Sequence, residues 1–251
     1  MSPVFEAMGW QALAALVVLL VFFGIGTAIG KHRVVDIAWG LGFAALAVVG
    51  YLITPRHWLI TALTVLWGLR LALFIAWRSR GKPEDPRYAK LLAGKSRWYP
   101  LFMVYLLQWV IVWFVSLPVQ LAQWHYDGLS WWVLPGVLLW AVGMVFETVG
   151  DWQLYAFQKA GGRGRVLDTG LWRYTRHPNY FGDACVWWGI WLVACATWPG
   201  VLTVLSPVLM TWFLAGKTGK PMTEAAMKAR PGYAEYLART SGFVPWFPKR
   251  T

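Results

Sequence analysis

Charge is scarce in this sequence, and acid scarcest. Only 14% of its 251 residues are charged; 11 are Asp or Glu, against 23 Lys and Arg, for a formal charge of +12. A soluble domain carries nearer a quarter charged residues, so a water-soluble globule is excluded. Cysteine is almost missing: Cys185 and Cys195 both lie in or beside an apolar run. That rules out a secreted disulfide framework and a Cys-rich zinc site, and leaves both as packing residues. No second His or Cys stands at ligand spacing from His177, so no metal site is expected. Neither a G-x-G-x-x-G after a strand pattern nor a recognisable Ser–His–Asp arrangement occurs, which sets aside a Rossmann domain and triad hydrolysis.

What the sequence has in plenty is apolar surface, 58% of all residues. A helix rising about 1.5 Å per residue needs roughly 20 such residues to cross a bilayer. The expected fold is therefore all-α: a polytopic integral membrane protein with seven transmembrane helices. The spans are 10–30, 34–53, 58–77, 100–122, 131–156, 181–197 and 200–216. No low-complexity stretch or soluble appendage interrupts them, so a single transmembrane domain over 1–251 is expected. The first 30 residues lack a basic start and a cleavage site and read as a retained helix. Tryptophans near span ends, such as Trp10, Trp58, Trp98, Trp124, Trp131 and Trp198, read as an interfacial belt.

The cations test this layout. Of the 23 Lys and Arg, 21 fall on alternate loops and the C-terminal tail, Arg56 alone on the other side, and Arg70 inside the third span. Cations accumulate on the cytoplasmic side, so the N-terminus is expected outside and the C-terminus in the cytoplasm, as in a bacterial inner membrane. A basic balance sorted onto one face suits anionic membrane lipids, or a phosphate-bearing ligand. No basic helix carries base-reading polar residues, so no nucleic acid is expected as a partner.

An ionisable group inside a membrane helix is costly and marks function by default. Five stand out: Asp36, Arg70, Glu147, Asp151 and Asp183. Glu147 and Asp151 are four apart and share a helical face, where two carboxylates repel unless donors or cations meet them. The plainer readings are an Asp36–Arg70 pair fastening two helices, salt bridges from Glu147 and Asp151 to the nearby basic loop, and Asp183 as a helix cap.

The densest segment runs from Asp151 to Trp188. Its flexible stretch Gly161-Gly162-Arg163-Gly164-Arg165 and the later Arg173 and Arg176 supply planar donors suited to phosphate, and glycines let backbone approach an anion. Tyr174, His177, Asn179 and Tyr180 follow in one short run entering a helix, groups able to orient an adenine, a ribose or a nicotinamide amide. The expectation is a connector folded back as a lid over an anionic redox carrier, not splayed into solvent.

The run GLWRYTRHPNYFGD, preceded by DWQLYAF and followed by WWG, resembles the C-terminal region of the steroid 5α-reductase superfamily, and more closely its bacterial branch, DUF1295. The Glu84-Asp85-Pro86-Arg87-Tyr88 motif and the tail from Arg230 are typical of that branch too. The reductase-like signature covers 147–251. The resemblance implies seven transmembrane helices around a cytoplasm-facing cofactor cavity that holds NADPH, and reduction of a conjugated carbon–carbon double bond. It carries cofactor contacts to Asp151, Asn179, Asp183 and Trp187; Glu147 stands where the reductases have Asn, and Val186 where they have Glu. The superfamily's Gln-Glu pair corresponds to Val35-Asp36, while its substrate tyrosine in the third helix has no counterpart near Arg70.

Such chemistry needs a hydride donor, a group polarising the carbonyl oxygen and a proton for the α-carbon. Asp36, Arg70 and Glu147 are the catalytic candidates. Arg163, Arg165, Arg173, Tyr174, Arg176, His177 and Tyr180 join the four carried-over residues as cofactor-binding candidates. The substrate is expected to be lipid-like, of steroid, isoprenoid or fatty acyl type. One rival is an S-adenosylmethionine-dependent methyltransferase of the isoprenylcysteine carboxyl methyltransferase type, whose R-H-P-x-Y-x-G pattern is matched by Arg176, His177, Pro178, Tyr180 and Gly182; its Glu-Glu pair is lacking, since Glu224 stands alone. Another is a transporter or scaffold, against which no internal repeat is found.

Overall fold

The structure, a computed structural model, describes residues 3–54, 56–125, 128 and 130–249; Arg250 of the basic tail lies outside them. Among the described residues there is no strand. The helices are α1 (Pro3–Ile29), α2 (Val35–Ile53), α3 (Trp58–Ser79), α4 (Pro86–Leu92), α5 (Leu107–Val115), α6 (Leu117–Trp124), α7 (Val133–Phe157), α8 (Pro178–Ala194), α9 (Leu205–Thr211), α10 (Lys220–Met227) and α11 (Tyr233–Arg239). The protein is all-α and multi-pass, as its composition requires.

Among the described residues, five helical stretches are long and apolar enough to cross a membrane: Pro3–Ile29, His32–Ile53, Trp58–Ser79, Val133–Gly162 and Gly200–Met227. A sixth is the pair Leu101–Val115 and Leu117–Trp124, bent by 45° next to Pro118, which cannot donate a backbone bond. The expected span at 181–197 corresponds to α8, which has 17 residues, at the lower limit for a crossing. The structure therefore yields five or six crossings, and the expected seven is not established by it.

By contacts the chain falls into two compact units, 1–130 with 194–203, and 131–193 with 204–251. In the first, α1 packs on α2, α5 and α6, and α2 on α3. Helices in lipid gain nothing from hiding apolar surface from each other and associate through close backbones and polar contacts. Gly40 and Gly68 supply the first: a Cβ on either would run into the other's carbonyl oxygen. Gln123 supplies the second. Its Nε2 donates to Ala47 O at 2.8 Å and Thr61 Oγ1 at 2.7 Å, while its Oε1 accepts from Gln11 Nε2 at 2.8 Å. One buried amide thus joins α6 to α1, α2 and α3.

In the second unit, α7 and α8 run antiparallel along a seam of glycines seven residues apart. A Cβ on Gly136 would lie 2.7 Å from Gly189 O, one on Gly143 2.5 Å from Gly182 O, and one on Gly150 3.1 Å from Asn179 N. The opposite face of α7 presents Leu134, Leu138, Val142, Val145, Val149 and Trp152 outward at three- and four-residue steps, a lipid-facing stripe.

Candidate functional site

The glycine seam positions the second unit's polar groups. Glu147 and Asp151 are buried on the seam face of α7, and Asn179 enters with the first turn of α8, whose opening Pro178 needs no donor there. Asn179 Nδ2 donates to Asp151 Oδ1 at 3.1 Å. Asn179 Oδ1 is buried with no hydrogen-bond partner among the described residues. Asp183 and Trp187, both buried, follow at four-residue steps on the same helical face. Asp183 is not a cap: α8 opens at Pro178 and carries no acid in its first turn.

The connector is pinned rather than splayed. Trp172 Nε1 donates to Gly150 O at 3.1 Å, Leu171 N to Gln153 Oε1 at 3.0 Å and Arg176 N to Ser241 O at 3.0 Å. Arg163, Arg165 and Arg173 are exposed on it. Gly161 and Gly164 take φ of +84° and +83°, a conformation that admits glycine at no steric cost.

Arg176 differs from the other arginines. Its Nε meets Glu224 Oε1 at 2.9 Å and its Nη1 donates to Thr240 O at 2.6 Å and Leu237 O at 3.2 Å. His177 shares the same carboxylate, Nε2 to Glu224 Oε1 at 3.1 Å. Burial pushes the imidazole down to about 4, against the opposing pull of Glu224, so at neutral pH it is uncharged and Nε2–H is the donor that this contact requires. Tyr180 stacks on His177 with centroids 5.4 Å apart and reaches Thr223 Oγ1 at 3.3 Å. Through its Nε and Nη1 the Arg176 guanidinium ties the start of α8 to α10 and the C-terminal segment. Tyr174 likewise faces an aromatic wall, 6.1 Å from the Phe247 ring.

The first unit holds a separate cluster. The Glu84 carboxylate accepts from His32 N, from Arg33 N at 3.0 Å and from Asp85 N at 2.8 Å, capping the short 3₁₀ turn that opens α2. Asp85 caps α4 by accepting from Arg87 N at 2.9 Å. This lays Tyr88 against α2, where its hydroxyl donates to Asp36 Oδ1 at 2.6 Å, with Arg87 Nη2 3.5 Å from Asp36 Oδ2. Burial and the Asp36 carboxylate push the Tyr88 phenol up, so it keeps its proton. Asp36 is thus held by Tyr88 and Arg87 and not by Arg70, whose guanidinium lies 5.5 Å over the Phe74 ring. Tyr88, within the motif after α3, is the partner of Asp36 that the sequence by itself does not single out.

Taken together, an all-helical, multi-pass body that carries a carboxylate–carboxamide contact at the seam of α7 and α8 defines a membrane protein with polar groups set among its helices. The chain belongs to the family described as protein of unknown function DUF1295, whose model matches residues 22–240. It is also similar to a steroid 5-alpha-reductase DET2 of Gossypium hirsutum, 36% identical over 76 residues. That match spans 30% of this chain and 29% of the relative. No solved structure matches the chain.

Proposed function

We propose that the protein is a membrane-embedded, NADPH-dependent reductase of a carbon–carbon double bond in a lipid-like enone. The observation that carries this reading is the Asn179–Asp151 contact at 3.1 Å with Asn179 Oδ1 left as a buried acceptor. An orphaned acceptor held from water is expensive, and a carboxamide or ribose hydroxyl donor answers it, so these residues fit a nicotinamide dinucleotide. When bound, that cofactor supplies the hydride for the β-carbon.

The chain's own groups take the remaining tasks. Asp151, Asn179, Asp183 and Trp187 line the cofactor's reactive end, while Arg163, Arg165 and Arg173 receive its phosphates. Arg176, His177 and Tyr180 position this set from behind. Asp36 and Tyr88 polarise the carbonyl oxygen: with a proton on Asp36 the short bond reverses, and the phenol O–H is free to donate. Arg70 is the cationic alternative for that oxygen, and Glu147 delivers the α-carbon proton. We also take the chain to act as one transmembrane domain over 1–251 in a bacterial inner membrane. On this reading α8 completes seven crossings, with the N-terminus outside and the C-terminus in the cytoplasm.

Tryptophan fluorescence of the detergent-purified protein tests the reading. NADPH is expected to quench it, and Asn179→Ala to weaken binding roughly tenfold to hundredfold, the worth of one to two hydrogen bonds, in a protein that stays folded in detergent although the lost bond to Asp151 lowers its melting temperature. Unaltered affinity in that variant overturns the assignment. Quenching by S-adenosylmethionine instead would favour the methyltransferase, and a response to neither a transporter or scaffold.

A further inference from the structure

The C-terminal segment is firmly built yet turns its largest side chains outward. Thr175 Oγ1 donates to Phe243 O at 2.7 Å, Trp246 N to Tyr174 O at 2.9 Å and Lys249 N to Arg239 O at 2.9 Å. A strap held this closely could bury its aromatics, but Val244, Trp246 and Phe247 are 60%, 72% and 76% exposed. Between the strap and the helices lies a pocket of about 280 Å³ lined by Phe146, Leu171, Tyr174, Pro245, Trp246 and Phe247. Among those side chains the polar groups are the Tyr174 hydroxyl and the Trp246 indole N–H. Phe146 neighbours Val145 and Val149 of the lipid-facing stripe on α7, which ends in Trp152, so the pocket continues a surface already directed at lipid. Lys249, exposed, follows the aromatics, and Arg250 is next in sequence.

We propose that this pocket holds part of one acyl chain of an anionic phospholipid, with the lipid's phosphate met by Lys249 at the end of the strap. The chemistry selects that occupant. Apolar walls carrying one hydroxyl and one indole N–H offer little to a polar ligand. The volume lies below the range of about 300–1,000 Å³ typical of sites enclosing a whole small molecule, but suffices for a chain segment. Aromatic side chains beside cations are the composition of a membrane interface, and cations there favour anionic headgroups. The inference is independent of the reductase reading: the lipid is a resident of the strap, neither substrate nor cofactor.

Native mass spectrometry of the full-length protein, released from detergent containing phosphatidylglycerol or phosphatidylcholine, is the test. Phosphatidylglycerol is expected to be retained about fivefold better for each headgroup cation engaged. Trp246→Ser combined with Phe247→Ser is expected to abolish retention, and Lys249→Gln to shrink the preference between the two lipids. Equal retention of both lipids by the unaltered protein, or full retention by the double variant, overturns the proposal. Should the double variant fail to fold, bromine-labelled phosphatidylglycerol serves: it is expected to quench a component of fluorescence that Trp246→Phe lacks, and identical quenching of both proteins counts against the site. Displacement of the lipid by adenosine 2′,5′-bisphosphate would reassign the pocket to a nucleotide base and equally overturn it.

Discussion

Two of the acids set among the helices are each met by a particular donor. Asp151 receives the Asn179 amide, and Asp36 the Tyr88 phenol with Arg87 behind it. Replacing Tyr88 by Phe removes the short bond and leaves Asp36 less satisfied; a loss of about 1–3 kcal/mol is expected, visible as a lower melting temperature in detergent. The arginines of the connector divide by the same logic. Arg176 is bound to Glu224 and two carbonyls, so Arg176→Gln is expected to lower the melting temperature. Changing Arg163, Arg165 and Arg173 together to Gln is expected to leave it alone while weakening NADPH more than NADH. Titrating both nucleotides against both variants checks this, and equal loss for the two nucleotides in the triple variant would remove the phosphate role. At this scale the sequence exposed the unusual residues, since charges in apolar runs are conspicuous. It did not expose their pairing: Asp36 and Tyr88 are separated by 52 residues, and no local pattern links them.

At the scale of the element, the glycine seam decides how α7 meets α8. Gly136, Gly143 and Gly150 stand seven apart, as do Gly182 and Gly189, a spacing that was there to be read. Gly143→Leu would drive a side chain into Gly182 O and Val186; overpacking of this kind costs about 3 kcal/mol or more. Since Asn179 and Asp151 depend on that crossing, NADPH binding is expected to fall along with the melting temperature, whereas Leu138→Ala, on the outward face of α7, changes neither. The Glu84-Asp85-Pro86-Arg87-Tyr88 motif was likewise legible as a motif. That it caps α2, more than 45 residues earlier in the chain, became visible only once the loop had folded back.

Over the whole molecule, pH is the variable that the buried histidines answer to. Burial pushes His57 down from its ordinary 6.5 to about 4, and His177 to about 4 as well. The unfolded chain therefore binds more protons than the native one between about pH 6.5 and 4, so stability is complete above this window and is lost as pH falls through it. The difference amounts to roughly 3 kcal/mol per histidine if fully expressed. The melting temperature is expected to hold steady from pH 8 to 7 and to drop steeply below 6, less so in His57→Gln; a flat profile down to pH 5 would contradict the neutral, buried state of both rings.

The amino-acid order alone determined that this chain lives in a membrane as a bundle of helices, because composition and run length are additive properties that hydration reads without reference to partners. It also marked the acids and the basic connector, because a charge is costly wherever lipid surrounds it. Which donor answers which acid, which arginine is free and which is spent, and where the motif after α3 lands were decided by tertiary structure. Those are matters of ångström-scale approach between segments far apart in the chain, and they exist only after the backbones have closed on one another.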